Sequence, residues 1–162
     1  MLNDLLQPGL KLVVCGTAAG TTSGKVGYYY AKPSNKFWKM LFQVGLTSLQ
    51  LAPSEYQRLL DFGIGLTDFV KGQSGMDKQI KFAAANRDEF SSKIIHYSPA
   101  ILCFNGKKAG ELCLQRKVDF GFQPEVIGTT KLFVAPSTSG AANGSWNIGL
   151  WQELAQHGEA KE

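Results

Sequence analysis

Residues 15–38 read CGTAAGTTSGKVGYYYAKPSNKFW. An apolar run ends in a glycine-spaced turn of small residues, Gly16-Thr17-Ala18-Ala19-Gly20, and three consecutive tyrosines follow before an Asn-x-Phe-Trp helix start. Glycines allow close approach to a backbone, and an aromatic ring offers a stacking face. Together they suit a flat ligand held between a bare backbone and a ring. Two more stretches are small and polar in the same way, Asn105-Gly106 and Pro136-Ser137-Thr138-Ser139-Gly140. Lys25, Lys32 and Lys36 sit near the first of them, where they can face phosphates or simply water.

The surrounding elements explain how these stretches could meet. Leu10–Cys15 is a short β-branched apolar run bounded by Pro8-Gly9 and Gly16, the pattern of a buried parallel strand. Ala100–Phe104 and Lys131–Ala135 repeat it. Ser34 or Asn35 can cap a helix carrying Phe37, Trp38, Leu41, Phe42 and Val44 to Gly45. Further helices are predicted from Pro53 to near Gly63, over 88–97, over 107–114 and from Ser145 to about His157, the last offering Trp146, Ile148, Leu150, Trp151 and Leu154 to the core. Residues 70–79 are glycine-rich and polar and read as a loop. Strands alternating with helices predict a three-layer α/β/α sandwich with a mostly parallel central sheet. In such sheets ligands lie beyond the carboxyl ends of the strands. There the three small loops fall, so they converge on one site.

Bulk properties bound the class. The 162 residues make one domain spanning 1–162, and 44% hydrophobic with 19% charged residues is a globular composition. A net charge of +4 mildly favours a polyanionic partner. Cys15, Cys103 and Cys113 have no C-x-x-C spacing, which argues against a disulfide scaffold, a zinc ribbon or an iron–sulfur cluster and for buried thiols in a reducing cytoplasm. The N-terminus does not read as a signal peptide, and no apolar run approaches the ~20 residues needed to span a bilayer. A monomer acting in the bacterial cytoplasm or nucleoid, away from membranes, is the expectation.

With the loops placed, the chain resembles the mismatch-specific uracil-DNA glycosylases, the family that includes thymine-DNA glycosylase, over nearly its whole length. PGLKLVVCG resembles the family's first strand, and Gly16–Gly20 falls where the family has Gly-Ile-Asn-Pro-Gly. Tyr30 falls at the stacking aromatic, and 33–38 (PSNKFW) resembles the helix start that follows. Gly65–Val70 (GLTDFV), 105–109 (NGKKA) and 136–140 (PSTSG) each match a family segment in order.

The resemblance implies base excision from DNA containing uracil, double-stranded and also single-stranded, without metal or redox cofactor. A glycosylase extrudes its target base at a cost of a few kcal/mol, and stacking on an aromatic recovers about 1–3 kcal/mol. Tyr30 would stack, while the backbone of Gly16, Thr17, Ala18 and Gly20, with Ser23 and Asn35 beside it, would line the base pocket. Preorganised N–H donors suit a base that leaves as an anion. Ser137, Ser139 and Gly140 would press the DNA backbone. Ala142 and Asn143 fall where relatives push a residue into the vacated stack, but they offer little of the bulk a wedge needs. Weak discrimination of the opposing base follows.

The informative departure is Ala18, where the family usually carries the asparagine that positions the attacking water. Either the protein only binds damaged DNA, or another residue orients the water. Asp68, in Gly-Leu-Thr-Asp, is the candidate for the second alternative, since a carboxylate can hold water and offset an oxocarbenium-like charge; a helix cap or turn is its structural alternative. Asp61, Asp119, His96 and His157 lie outside the loops. Lys25 is a weak Schiff-base candidate, so a monofunctional enzyme is expected. A small-residue pocket leaves another deaminated base, such as hypoxanthine, open. Thymine is disfavoured if Ser23 or Tyr30 crowds the base's 5-position.

Overall fold

The structure is a computed structural model and describes residues 2–71 and 84–159; most of the stretch read as a glycine-rich loop, 72–79, lies outside the described residues. The first strand, β1 (Leu12–Gly16), is buried along its length. Its side chains alternate between two cores, as the two-residue period of a strand requires. Leu12 and Val14 belong to one, Val13 and Cys15 to the other. A sheet buried on both faces needs continuous apolar strands rather than alternating ones.

After β1 come α1 (Thr21–Val26), α2 (Phe37–Gln43), a 3-10 segment (Pro53–Phe62) and β2 (Ile64–Asp68). Then follow α3 (Ala84–Tyr97), β3 (Ile101–Asn105), α4 (Lys107–Leu114), β4 (Gly121–Ile127) and β5 (Thr130–Ala135). A 3-10 turn (Gly140–Ser145) and α5 (Ile148–Glu159) complete the order. Among the described residues five strands run in the order β2-β1-β3-β5-β4, parallel except for β4, which is antiparallel to β5. Phe37, Trp38 and Leu41 of α2, Leu59 of the 3-10 segment and Trp151 and Leu154 of α5 cover one face. Phe90 and Ile94 of α3 with Ala109 and Cys113 of α4 cover the other. The expected three-layer architecture is therefore present, and its three predicted strands are β1, β3 and β5.

Two strands escape the sequence pattern. β2 (IGLTD) is fully buried although it contains a glycine and ends in Thr67-Asp68, which as sequence resemble a turn or cap. They belong to the strand because Thr67 and Asp68 pair in register with Cys15 and Gly16. β4 carries Pro124, exposed at the sheet margin, and shifts register between Phe122 and Val126. Proline is tolerated there because an edge strand need not donate every ladder hydrogen bond.

Other boundaries move for local reasons. The 53–62 element is 3-10 rather than α. Phe42 turns outward, 45% exposed, because α2 buries only Phe37, Trp38, Met40 and Leu41. The last helix starts at Ile148, with Asn147 Oδ1 accepting the Gly149 N–H at 2.9 Å, so Trp146 stands before the helix. Among the described residues no helix is long and apolar enough to cross a membrane. Cys15, Cys103 and Cys113 are free and buried, and burial pushes all three thiols above their ordinary range. Protonated thiols of this kind are inert.

The outer edge of β2 is covered by the N-terminal segment, through an antiparallel bridge between Leu5 and Leu66. Gly65 permits that approach: a Cβ there would lie 2.5 Å from the Leu5 carbonyl oxygen and 2.6 Å from Leu10 Cδ1. Gly65→Ala should therefore destabilise the protein by about 1–3 kcal/mol, the usual range for overpacking. Urea unfolding measures it, and an unchanged midpoint would show that the segment does not pack as described.

Candidate active site

A cavity of about 550 Å³ opens beyond the carboxyl ends of β1, β2, β3 and β5. Topology creates it. From β1 the chain passes to α2 on one face of the sheet, whereas from β3 it passes to α4 on the other, so a crevice forms where the two directions diverge. The loop Gly16–Gly20 forms one wall and Ser137–Ser139 faces it, with Asn105 and Gly106 between.

Asp68 lies on the cavity floor, only 4% exposed. It is the register partner of Gly16. A Cβ at Gly16 would stand 3.2 Å from Asp68 Oδ1 and 3.5 Å from the Tyr30 hydroxyl, so glycine keeps the space before the carboxylate clear. Asp68 Oδ2 pairs with Lys71 Nζ at 3.3 Å, while Oδ1 has no hydrogen-bond partner among the described residues. Burial raises this carboxyl above the usual range, with Lys71 opposing and Asp4 assisting. Such a group is a better proton acceptor than an ordinary aspartate.

Tyr30 adopts φ +52°, a left-handed conformation uncommon for an aromatic residue. Ser23 braces this turn, its Oγ accepting the Ala31 N–H at 2.9 Å. The ring lies on Phe37, 4.1 Å between centroids and 31° from coplanar. Its buried hydroxyl has no hydrogen-bond partner among the described residues. Burial and the Asp68 charge push the phenol above its ordinary range, so it keeps its proton.

The remaining expected residues divide. Thr17, Ala18, Gly20, Ser23 and Asn35 all line the cavity, as do Ser137, Ser139 and Ala142. Asn35 Oδ1 also accepts the Phe37 N–H at 3.0 Å, the helix-capping role its position predicts. Ser139 Oγ accepts the Ala141 N–H at 3.2 Å, which leaves its own proton free to donate. Gly140 and Asn143 do not line the cavity. Gly140 abuts Ser34, and exposed Asn143 accepts a hydrogen bond from Lys36, whose ammonium also sits 5.1 Å from the Trp146 ring centroid. Lys32 reaches the wall; Lys25 and Lys36 do not. His96 packs on Tyr97 and His157 on Phe122, away from the cavity.

Asn105, in one of the three loops that the sequence brings to the site, has no role of its own in the sequence reading, and neither do Lys71, Lys107 and Lys108. Asn105 lines the cavity with its amide fixed by Thr138: Oδ1 accepts the Thr138 N–H and Nδ2 donates to Thr138 Oγ1, both at 3.0 Å. One N–H and one carbonyl lone pair are left over, beside the Tyr30 hydroxyl. An asparagine closing a parallel strand before glycine is the signal that marks it. Lys107 and Lys108, at the start of α4, also line the wall. Lys71 was hidden in a stretch that reads as loop. Among the described residues no group of His, Cys, Asp and Glu could hold a metal ion.

Comparison with known proteins agrees with this geometry. Residues 4–155 match the family model described as the uracil DNA glycosylase superfamily. The fold is similar to a solution NMR structure from Methanosarcina acetivorans, of a protein provisionally assigned as a uracil DNA glycosylase. Identity is 24%, the match covers 98% of this chain and 96% of that one, and the TM-score is 0.69.

A raised carboxyl has a consequence for stability. The folded state binds the Asp68 proton more tightly than the unfolded chain, so its contribution is present at low pH and is lost as pH rises through the folded-state value. At neutral pH the buried charge is a liability. Asp68→Asn should therefore raise the melting temperature at pH 7 and narrow the difference between wild type and variant at pH 4. A lower melting temperature at pH 7 would show that the Lys71 pair outweighs the desolvation.

Proposed function

The chain belongs to the uracil DNA glycosylase superfamily and is a DNA glycosylase, and from that premise we propose that it is a monofunctional uracil-DNA glycosylase acting as a monomer. Within the superfamily we place it with the mismatch-specific branch, as a member with GTAAG in place of GINPG. The observation that carries the reading is the buried Asp68 carboxylate, one oxygen of which has no partner among the described residues, on the floor of a cavity where strand-end loops converge.

In this mechanism the flipped uracil lies against Tyr30, which Phe37 backs, and its polar edge meets the Gly16–Gly20 backbone and the fixed Asn105 amide. Asp68 Oδ1 holds a water and accepts its proton as the oxygen bonds to the sugar C1′. The C1′–N bond breaks with its electron pair going to the base, and the base anion then takes a proton from solvent. The products are free uracil and an abasic site. The carboxylate also offsets positive charge on the oxocarbenium-like sugar. Asp68 thereby does the work of the asparagine that Ala18 replaces.

Lys32, Lys107 and Lys108 attract the phosphates, and Ser137 and Ser139 contact the backbone beside the flipped nucleotide. Ala142 and Asn143 provide too little bulk to hold the stack open, which makes single strands substrates as well. A second reading has its own support: about 550 Å³ of cavity walled by Ala18 and Ala19 leaves room for a purine, so hypoxanthine is the alternative base.

Single-turnover release of uracil from a duplex with one U opposite G tests the activity, read as strand cleavage after alkali. Product is expected. No product but intact binding would make the protein a binder of damaged DNA, and release from hypoxanthine DNA alone would select the purine reading. Asp68→Asn should slow the single-turnover step by about 10²–10⁴-fold, the usual weight of a general base, with duplex affinity retained; an unchanged rate removes Asp68 from the mechanism. Tyr30→Ala should weaken binding to uracil DNA by about 1–3 kcal/mol. In Lys107→Ala/Lys108→Ala, the slope of log affinity against log salt should fall by about 2; an unchanged slope would remove both lysines from the DNA contact.

A further inference from the structure

Asp68 is one end of a charged chain that reaches the N-terminus. The bridge between Leu5 and Leu66 carries Asp4 to the far side of β2. There Asp4 Oδ1 accepts the Thr67 hydroxyl at 2.7 Å and pairs with Lys71 at 2.7 Å, while Oδ2 pairs with Lys93 at 2.7 Å. Lys93 lies 3.4 Å from Thr67 Oγ1 as well. Lys71 also donates to the Leu2 carbonyl at 3.1 Å and the Tyr29 hydroxyl at 3.3 Å. Its contact with Asp68, at 3.3 Å, is longer than its contact with Asp4.

We propose that Asp4 is a positioning residue for the reaction at Asp68: it draws Lys71 away from that carboxylate and so keeps Asp68 able to accept a proton. The inference rests on the hydrolytic role given to Asp68 above. An ammonium paired tightly with Asp68 would stabilise the carboxylate and make it a poor base. Here the ammonium is shared, with the shorter contact outside the cavity. Asp4's own negative charge acts in the same direction.

The groups facing Asp68 make the sign unambiguous. Tyr29, Tyr30 and Cys15 are all pushed upward, chiefly by burial, and stay neutral. Among the described residues the charges that remain are Asp4, Lys71 and Lys93. Burial works to raise the Asp4 carboxyl as well, but hydrogen bonds from Lys71, Lys93 and Thr67 outweigh it and hold Asp4 below the usual range. Asp4 is therefore ionised wherever Asp68 titrates. Removing its charge removes a like charge and releases Lys71, and both changes stabilise ionised Asp68.

The test compares wild type with Asp4→Asn in the full chain, following the Asp68 side-chain carboxyl by ¹³C NMR against pH. The expected result is a titration at least ~0.5 pH unit lower in the variant. The acid limb of single-turnover uracil release should move with it, the plateau rate should fall several-fold, and duplex affinity should not change. Asp4→Glu should restore the wild-type profile. Lys93→Gln, which leaves Lys71 as the cation of Asp4 and removes a positive charge near Asp68, should move the titration upward and carries the test if Asp4→Asn does not fold. An unmoved Asp68 titration in a folded variant overturns the proposal. A shift in a protein that releases no base upholds the hold of Asp4 on Asp68 and overturns the hydrolytic reading instead.

Discussion

Parallel pairing between β1 and β2 puts Gly16 beside Asp68, and the rest of the site depends on that register. The pairing continues past the strands, because the Phe69 and Val70 N–H groups donate to the Gly16 and Thr17 carbonyls at 2.8 and 2.7 Å. Those two carbonyls are thereby satisfied from beneath, and the Gly16–Gly20 turn is left to face the cavity. A shift of one residue would turn Asp68 to the opposite face of the sheet. Apolar burial on both faces forbids that shift. Register is thus enforced by the core, while its chemical result appears at the strand end.

The same pairing takes a carboxylate out of water, and the protein offsets this only in part. Lys71 is close, yet its shortest contact is with Asp4. Completing the ion pair would favour stability and weaken the base. Leaving it incomplete keeps Asp68 above the usual carboxylate range. Functional sites commonly hold such unrelieved groups, at some cost in stability. Here the surrounding fold supplies the rigidity: Gly65 admits the N-terminal segment, and that segment brings the competing acid.

The walls of the cavity are held by short polar contacts. Thr138 fixes Asn105, Ser23 braces the turn before Tyr30, and Asn35 caps the Phe37 N–H. Each uses one side-chain group for local geometry and leaves another donor or acceptor over. Serines and asparagines suit this role because they both accept and donate. Asn143 is the exception, since its bond to Lys36 points it away from the cavity.

Much was legible in the chain before any coordinates. LKLVVC, AILCF and KLFVA announce buried strands, because a strand covered on both faces carries a short continuous apolar run bounded by turn residues. Their carboxyl ends located the loops, and the Gly16–Gly20 turn, Tyr30, Asn35 and Asp68 do meet in one cavity. Local pattern could not reveal β2 or β4, since an internal glycine and an edge proline both imitate loop. Nor could it reveal Asp4 and Lys71, which come to Asp68 from the N-terminus and from a polar loop. Sequence by itself determined that the three continuous apolar runs are buried, because burial there follows from the local run of apolar side chains. Only the tertiary structure decided which charges face Asp68, because electrostatic partners are chosen by distance in space, across separations in the chain that no local pattern encodes.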